Sequence, residues 1–169
     1  REQDEGYWQP VDASAREDTN WIPSTRIETI LKGFAANNIL VIADSCFSGV
    51  ITRGVSILEP EIEYPELSDL DDETLNTIFN RRTRIAISSG ALEPVVDSLS
   101  GEANSVFATA FLEALRNSND IVFANKLFEG IRNTVSDTLR GSGINQSPQY
   151  STMQRARHQS GDFLFLRKR

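Results

Sequence analysis

The stretch ILVIADSCFSGV, Ile39 to Val50, decides how this chain is read. Its first five residues are aliphatic or small without interruption, the pattern of a strand buried on both faces, as in a parallel sheet. An aspartate, a serine and the only cysteine of the chain then stand in front of a Phe-Ser-Gly turn. A thiol placed there sits where open α/β sheets keep their functional residues, at the carboxyl end of a strand. Thiols attack only as thiolates, so a nucleophilic Cys46 needs a cation, a base or turn amides nearby, and the same amides can hold the oxyanion of a thioester-forming reaction. The competing reading of a lone cysteine is an inert core residue. An inert thiol has no use for a carboxylate two residues away, and Asp44 is there.

Working outward, residues 1–26 are rich in polar and turn-forming types with Tyr7, Trp8 and Trp21 among them, which predicts a long packed loop. Ile27, Ile30, Leu31 and Phe34 then recur at helical spacing and predict an amphipathic helix over 24–36. Between Gly54 and Glu73 stand eight acidic residues and no basic one, interrupted by Pro60 and Pro65, the composition of a solvated linker. DDETLNTIFNRR predicts a short helix with acids at its start and arginines at its end. TRIAISSG predicts a second strand breaking into a turn. SVFATAFLEALR and ANKLFEGIRNTVSDTLR predict two amphipathic helices, GSGINQSPQY a loop, and GDFLFLRKR a closing strand. No internal repeat or low-complexity segment is present. Alternating strands and helices predict one α/β domain, a mostly parallel sheet with helices on both faces.

Composition narrows the function classes. The chain of 169 residues is long enough for one domain with its own core, and 39% hydrophobic with 24% charged residues describes a globular chain. One cysteine excludes an internal disulfide, and one cysteine with one histidine makes a zinc site a poor fit. A net charge of −7 argues against a nucleic-acid surface. No apolar run approaches the roughly 20 residues of a membrane helix. The chain is therefore read as soluble and cytoplasmic, without a membrane partner, and with export left open because a leader could precede Arg1.

The motif VIADSCFSG resembles the nucleophile strand of caspase-like cysteine peptidases, in particular the metacaspase and bacterial orthocaspase branch with its D-x-C-x-S-G pattern. GYWQPVDA, IAISSG, SVFATAFLEAL, QSPQY and GDFLF agree with the family's order, so the resemblance covers most of the chain. It implies a cysteine endopeptidase with Cys46 as nucleophile and Gly49 as the turn glycine. It places Asp44, beside Ser45, in the primary specificity pocket, where a buried carboxylate would select substrate arginine or lysine. Ser88, Ser89 and Asp97 would line the same groove. The family also implies a division into a large-subunit-like end (1–53), an acidic linker (54–73) and a small-subunit-like part (74–169), together the C-terminal part of one caspase-like catalytic domain. Arg53, Arg81 and Arg82 flank that linker and would suit self-processing. Some metacaspases are calcium-activated, and Asp69, Asp71, Asp72 and Glu73 invite that reading, although they lack the alternating ligands and glycine of a calcium loop. No cofactor is otherwise implied.

One element departs from the family pattern. Caspase-type catalysis needs a histidine as base and then acid, about 50 residues before the cysteine, and counting back from Cys46 passes the start of this sequence. The only histidine, His158, precedes the closing strand, which in the family starts on the active-site edge, but its position there is not catalytic, and the resemblance implies that it lies across the sheet from Cys46. The expectation is a caspase-like fold lacking its N-terminal strands, whose partners are a polypeptide substrate with a basic residue and the missing segment that carries the histidine. The rival expectation is a caspase-like module without catalysis that binds or scaffolds a partner.

Overall fold

The computed structural model describes residues 6–14, 17–45, 70–90, 103–118 and 121–167. Its centre is a three-stranded mixed sheet. β3 (Asn38–Ala43) runs parallel to β4 (Thr83–Ser88), from Asn38 opposite Thr83 to Ala43 opposite Ser88. β6 (Gln149–Thr152) pairs antiparallel on the other side of β4, with Ile85 opposite Thr152. The expectation of a mostly parallel sheet is thus half met: β3 and β4 pair in parallel, and β4 and β6 do not. β6 falls in a stretch whose sequence predicts a loop, because Gln-Tyr-Ser-Thr has no apolar alternation of its own and becomes a strand by pairing with β4.

Side-chain alternation divides the core between the two faces of the sheet. On one face Ile85 and Ile87 pack with α3 (Val106–Asn117) and α4 (Ala124–Leu139), whose Phe107, Ala110, Leu127, Phe128, Ile131 and Val135 are buried at helical spacing. On the other, Ala43, Ala86 and Met153 pack with Leu31 of α1 (Ser24–Gly33) and with Ala156. Helices therefore cover both faces, as the sequence predicts. Each fully buried large aliphatic or aromatic side chain contributes about 1.5–3 kcal/mol, so the α3/α4 face is the principal source of stability.

β4 is buried at every position, whereas β3 is only half-buried over most of its length, with Ile42 41% exposed. The expectation of a strand buried on both faces fails for β3, and it is β4 that is so buried. The reason is topological: among the described residues β3 has one neighbour and β4 has two.

α1 stops at Gly33, three residues short of its predicted end. The carbonyls of Phe34 and Ala36 instead accept hydrogen bonds from the Arg84 guanidinium, the latter at 2.7 Å, a contact that local periodicity does not encode. α2 (Asp72–Asn80) is capped by Asp71, whose carboxylate accepts from the Thr74 N–H at 2.6 Å. The predicted opening loop contains a small ribbon, β1 (Tyr7–Trp8) antiparallel to β2 (Ile22–Pro23), with the Tyr7 and Trp21 rings 5.6 Å apart. The closing strand β7 (Leu164–Leu166) pairs antiparallel with β5 (Ile121–Phe123), a three-residue strand too short to show a period. No described helix is long and apolar enough to cross a membrane.

Candidate active site

Because β3 and β4 are parallel and in register, both end at one edge, the carboxyl rim, where the chain segments leaving the two strands meet. Ser89 leaves β4 with its N–H bonded to the Ala43 carbonyl at 2.9 Å, extending the ladder by one step. Its hydroxyl then clasps the chain leaving β3, accepting from the Ser45 N–H at 3.2 Å and donating to the Ser45 carbonyl at 3.3 Å. Gln146, buried in the segment before β6, donates its side-chain amide to the Ser89 carbonyl at 2.8 Å. The residue immediately before Cys46 is thus fixed through both of its backbone polar groups.

Asp44 shares the parity of Leu40 and Ile42, and Leu40 packs on the face that carries α3 and α4. There it meets Ser105, the N-cap of α3. The Ser105 hydroxyl accepts from the Ala108 N–H at 2.8 Å and donates to Asp44 Oδ2 at 2.5 Å. One side chain therefore starts a helix and orients the acid. Asp44 is nevertheless exposed, which corrects the expectation of a buried carboxylate: it stands one residue past the half-buried β3, at the open rim. The carboxylate is a charge held in place by the Ser105 hydroxyl rather than one stripped of water. Among the described residues Asp44 makes no ion pair.

The other predicted residues fall into four groups. Ser88 and Ser89 are at the rim as expected, but both are fully buried, and Ser88 donates to the Gly90 carbonyl at 3.1 Å. Cys46, Gly49, Arg53 and Asp97 lie outside the described residues, as does Asp69. Arg81 ends α2 and donates to the Ser160 carbonyl, while Arg82 leads into β4 with its N–H on the Gln159 side chain and its carbonyl accepting from the Gln159 N–H at 2.7 Å. Cleavage at that position would first have to open these bonds. Of the acids considered for calcium, Asp71 is occupied as a helix cap, which holds its carboxyl below the usual range through the Thr74 bonds. No group of three or more histidine, cysteine or acidic residues converges among the described residues.

His158 lies at the other end of the sheet. Its Nδ1 accepts from the Arg84 N–H at 3.1 Å near the start of β4, and burial, then the Arg84 charge, holds the imidazole below its ordinary pKa. β6 runs antiparallel to β4, so the chain leaving β6 emerges at the amino rim and carries His158 there, while among the described residues β7 pairs with β5.

Two residues of the rim, Ser105 and Gln146, make long-range bonds there that are not legible in the sequence. A serine before an apolar helical period marks an N-cap, but its second bond spans 61 residues and nothing local signals it. Comparison with family models, with curated proteins and with solved structures gives no match for the chain.

Proposed function

We propose that this chain forms the C-terminal part of a caspase-like catalytic domain, a cysteine endopeptidase that cleaves after arginine or lysine. The observation that carries the reading is the Asp44 carboxylate, oriented by Ser105, without a cation of its own among the described residues, two positions before Cys46. A substrate guanidinium or ammonium would supply the missing partner through charge-assisted hydrogen bonds.

In this mechanism the Cys46 thiolate attacks the scissile carbonyl carbon, and the oxyanion is held by backbone N–H groups of the turn. Collapse to the thioester breaks the C–N bond, and a histidinium gives its proton to the departing amine. Water, deprotonated by the same histidine, then hydrolyses the thioester and returns the thiolate. His158 does not fit that role, since it lies at the opposite rim with its Nδ1 engaged by Arg84. The histidine of this reading comes from outside these 169 residues. The same placement of His158 favours the second reading, a non-catalytic module that binds through the carboxyl rim.

The test is cleavage of a peptide library by the full-length protein beside its Cys46→Ala and Asp44→Asn variants. Cleavage after arginine and lysine, abolished in the first variant and reduced about 10- to 100-fold in kcat/KM in the second, supports the reading; that range is the worth of a charged hydrogen bond. Equal traces for wild type and Cys46→Ala refute it and leave the binding module.

A further inference from the structure

The amino rim, opposite the site just described, carries a second feature. Asn37, Asn80, Arg82, Arg157, His158 and Gln159 line an open cavity of about 490 Å³. No carboxylate is among these described lining residues. Arg82 and Arg157 make no ion pair among the described residues, in a chain whose net charge is −7. Solvated surface arginines need no partner, but these two converge on one concavity, and a third cation lies behind its wall.

That cation is Arg84. Its side chain is fully buried and donates to the carbonyls of Asn37 at 2.6 Å, Ala36 at 2.7 Å and Thr83 at 2.8 Å. These are dipoles, not charges, so among the described residues the positive charge is oriented but not neutralised, and its buried Nε–H has no hydrogen-bond partner among them. Two of its bonds join it directly to the cavity lining, through the Asn37 carbonyl and from its own N–H to His158 Nδ1. A buried cation without a counter-charge raises the local potential, and an anion bound nearby offsets it.

The polarity of the lining agrees. Because His158 Nδ1 accepts from Arg84, the neutral imidazole carries its proton on Nε2 and is a donor there. Gln159 Oε1 accepts from the Arg82 N–H, which leaves the Gln159 amide NH₂ as a donor. With two guanidinium forks, the cavity offers donors from four side chains and a surplus of positive charge. Its volume falls within the range of small-ligand sites. We propose that this cavity binds a small molecule through a phosphoryl group, whose oxygens accept from Arg82 and Arg157 with His158 and Gln159 completing the shell. The site does not depend on the peptidase reading, and its occupancy is measurable with no substrate present.

Isothermal titration of the chain with inorganic phosphate, pyrophosphate and adenosine diphosphate tests it, with citrate and with sodium chloride at matched ionic strength as controls. The expected result is saturable binding of at least one phosphoryl ligand at one site, weakened tenfold or more in Arg82→Gln and in Arg157→Asn. Asparagine is chosen because Arg157 has φ 67°, a left-handed conformation that asparagine tolerates. Arg81→Gln, on the same rim but bonded to the Ser160 carbonyl, should bind as wild type does. Tighter binding of the diphosphates supports a larger ligand at the site, and equal binding supports phosphate alone. Equal heats from citrate or chloride, unchanged binding in both arginine variants whose unfolding matches wild type, or an equal loss in Arg81→Gln would each overturn the proposal.

Discussion

Removing the Ser105 hydroxyl should reveal that one side chain serves both the helix and the acid. Ser105→Ala deletes the N-cap bond from Ala108 and the donor to Asp44 Oδ2 together. Loss of an N-cap costs about 1 kcal/mol. The hydroxyl–carboxylate bond would be worth about 1.5–3 kcal/mol if dry, but Asp44 is exposed and water replaces the donor, so about 0.5–1 kcal/mol is assigned to it. Ser105→Ala should therefore destabilise by about 1.5–2 kcal/mol, a fall of roughly 3–8 °C in Tm for a domain of this size. Asp44→Ala keeps the cap and should cost less than about 1 kcal/mol. The double variant should fall short of the sum of the two by about 0.5–1 kcal/mol, the coupling of groups in contact. Ser105→Asn restores the cap alone and should recover most of the stability but none of that coupling. Urea unfolding of the four variants measures all of these terms. Strict additivity of Ser105→Ala and Asp44→Ala would refute the reasoning, because the two side chains would then not be in contact.

Two further outcomes are expected at the amino rim. His158 is held below its ordinary pKa, so the unfolded chain binds its proton more readily than the folded one; the stability from neutral His158 is present above about pH 6.5 and is lost as pH falls below it. His158→Asn, whose Oδ1 can replace Nδ1 as acceptor from Arg84, should flatten the fall in unfolding free energy between pH 7 and 5, and an unchanged slope would contradict the assignment. Gly161→Ala would drive a Cβ into the hydroxyl of buried Thr83, with Arg81 Cβ 3.3 Å and the Ile78 carbonyl 3.4 Å on its other sides. It should cost about 1–3 kcal/mol in denaturant unfolding, and a wild-type midpoint would show that the turn yields freely.

How far the sequence can be read depends on the range of the interactions that shape each element. α3 and α4 are legible because Phe107, Leu127, Ile131 and Val135 repeat at the helical period, and β4 because Ile85 and Ile87 alternate in a run long enough to notice. β6 and β5 are not: the first is polar and takes its form from β4, and the second is three residues long. The end of α1 is hidden from local sequence because it is set by Arg84, 48 residues beyond Ala36. At the site, the parity of β3 and the N-cap serine are each readable alone. That they meet, and that Ser89 and Gln146 hold Ser45, emerges only once the parallel register brings the two strand ends side by side. Cys46 and Gly49, the proposed nucleophile and its turn glycine, lie outside the described residues, so those proposed roles rest on the motif.

The central claim is that Cys46 is a nucleophile whose reach is gated by a basic side chain at Asp44. Active-site labelling tests it most directly: the full-length protein is treated with a peptidyl acyloxymethyl ketone ending in arginine and, in parallel, with one ending in aspartate, and the adduct is mapped by mass spectrometry. The account predicts a single adduct on Cys46 from the arginine reagent, little from the aspartate reagent, and a sharp loss of the first in Asp44→Asn. Equal labelling by both reagents, or a folded protein whose Cys46 stays unmodified by either, would contradict it.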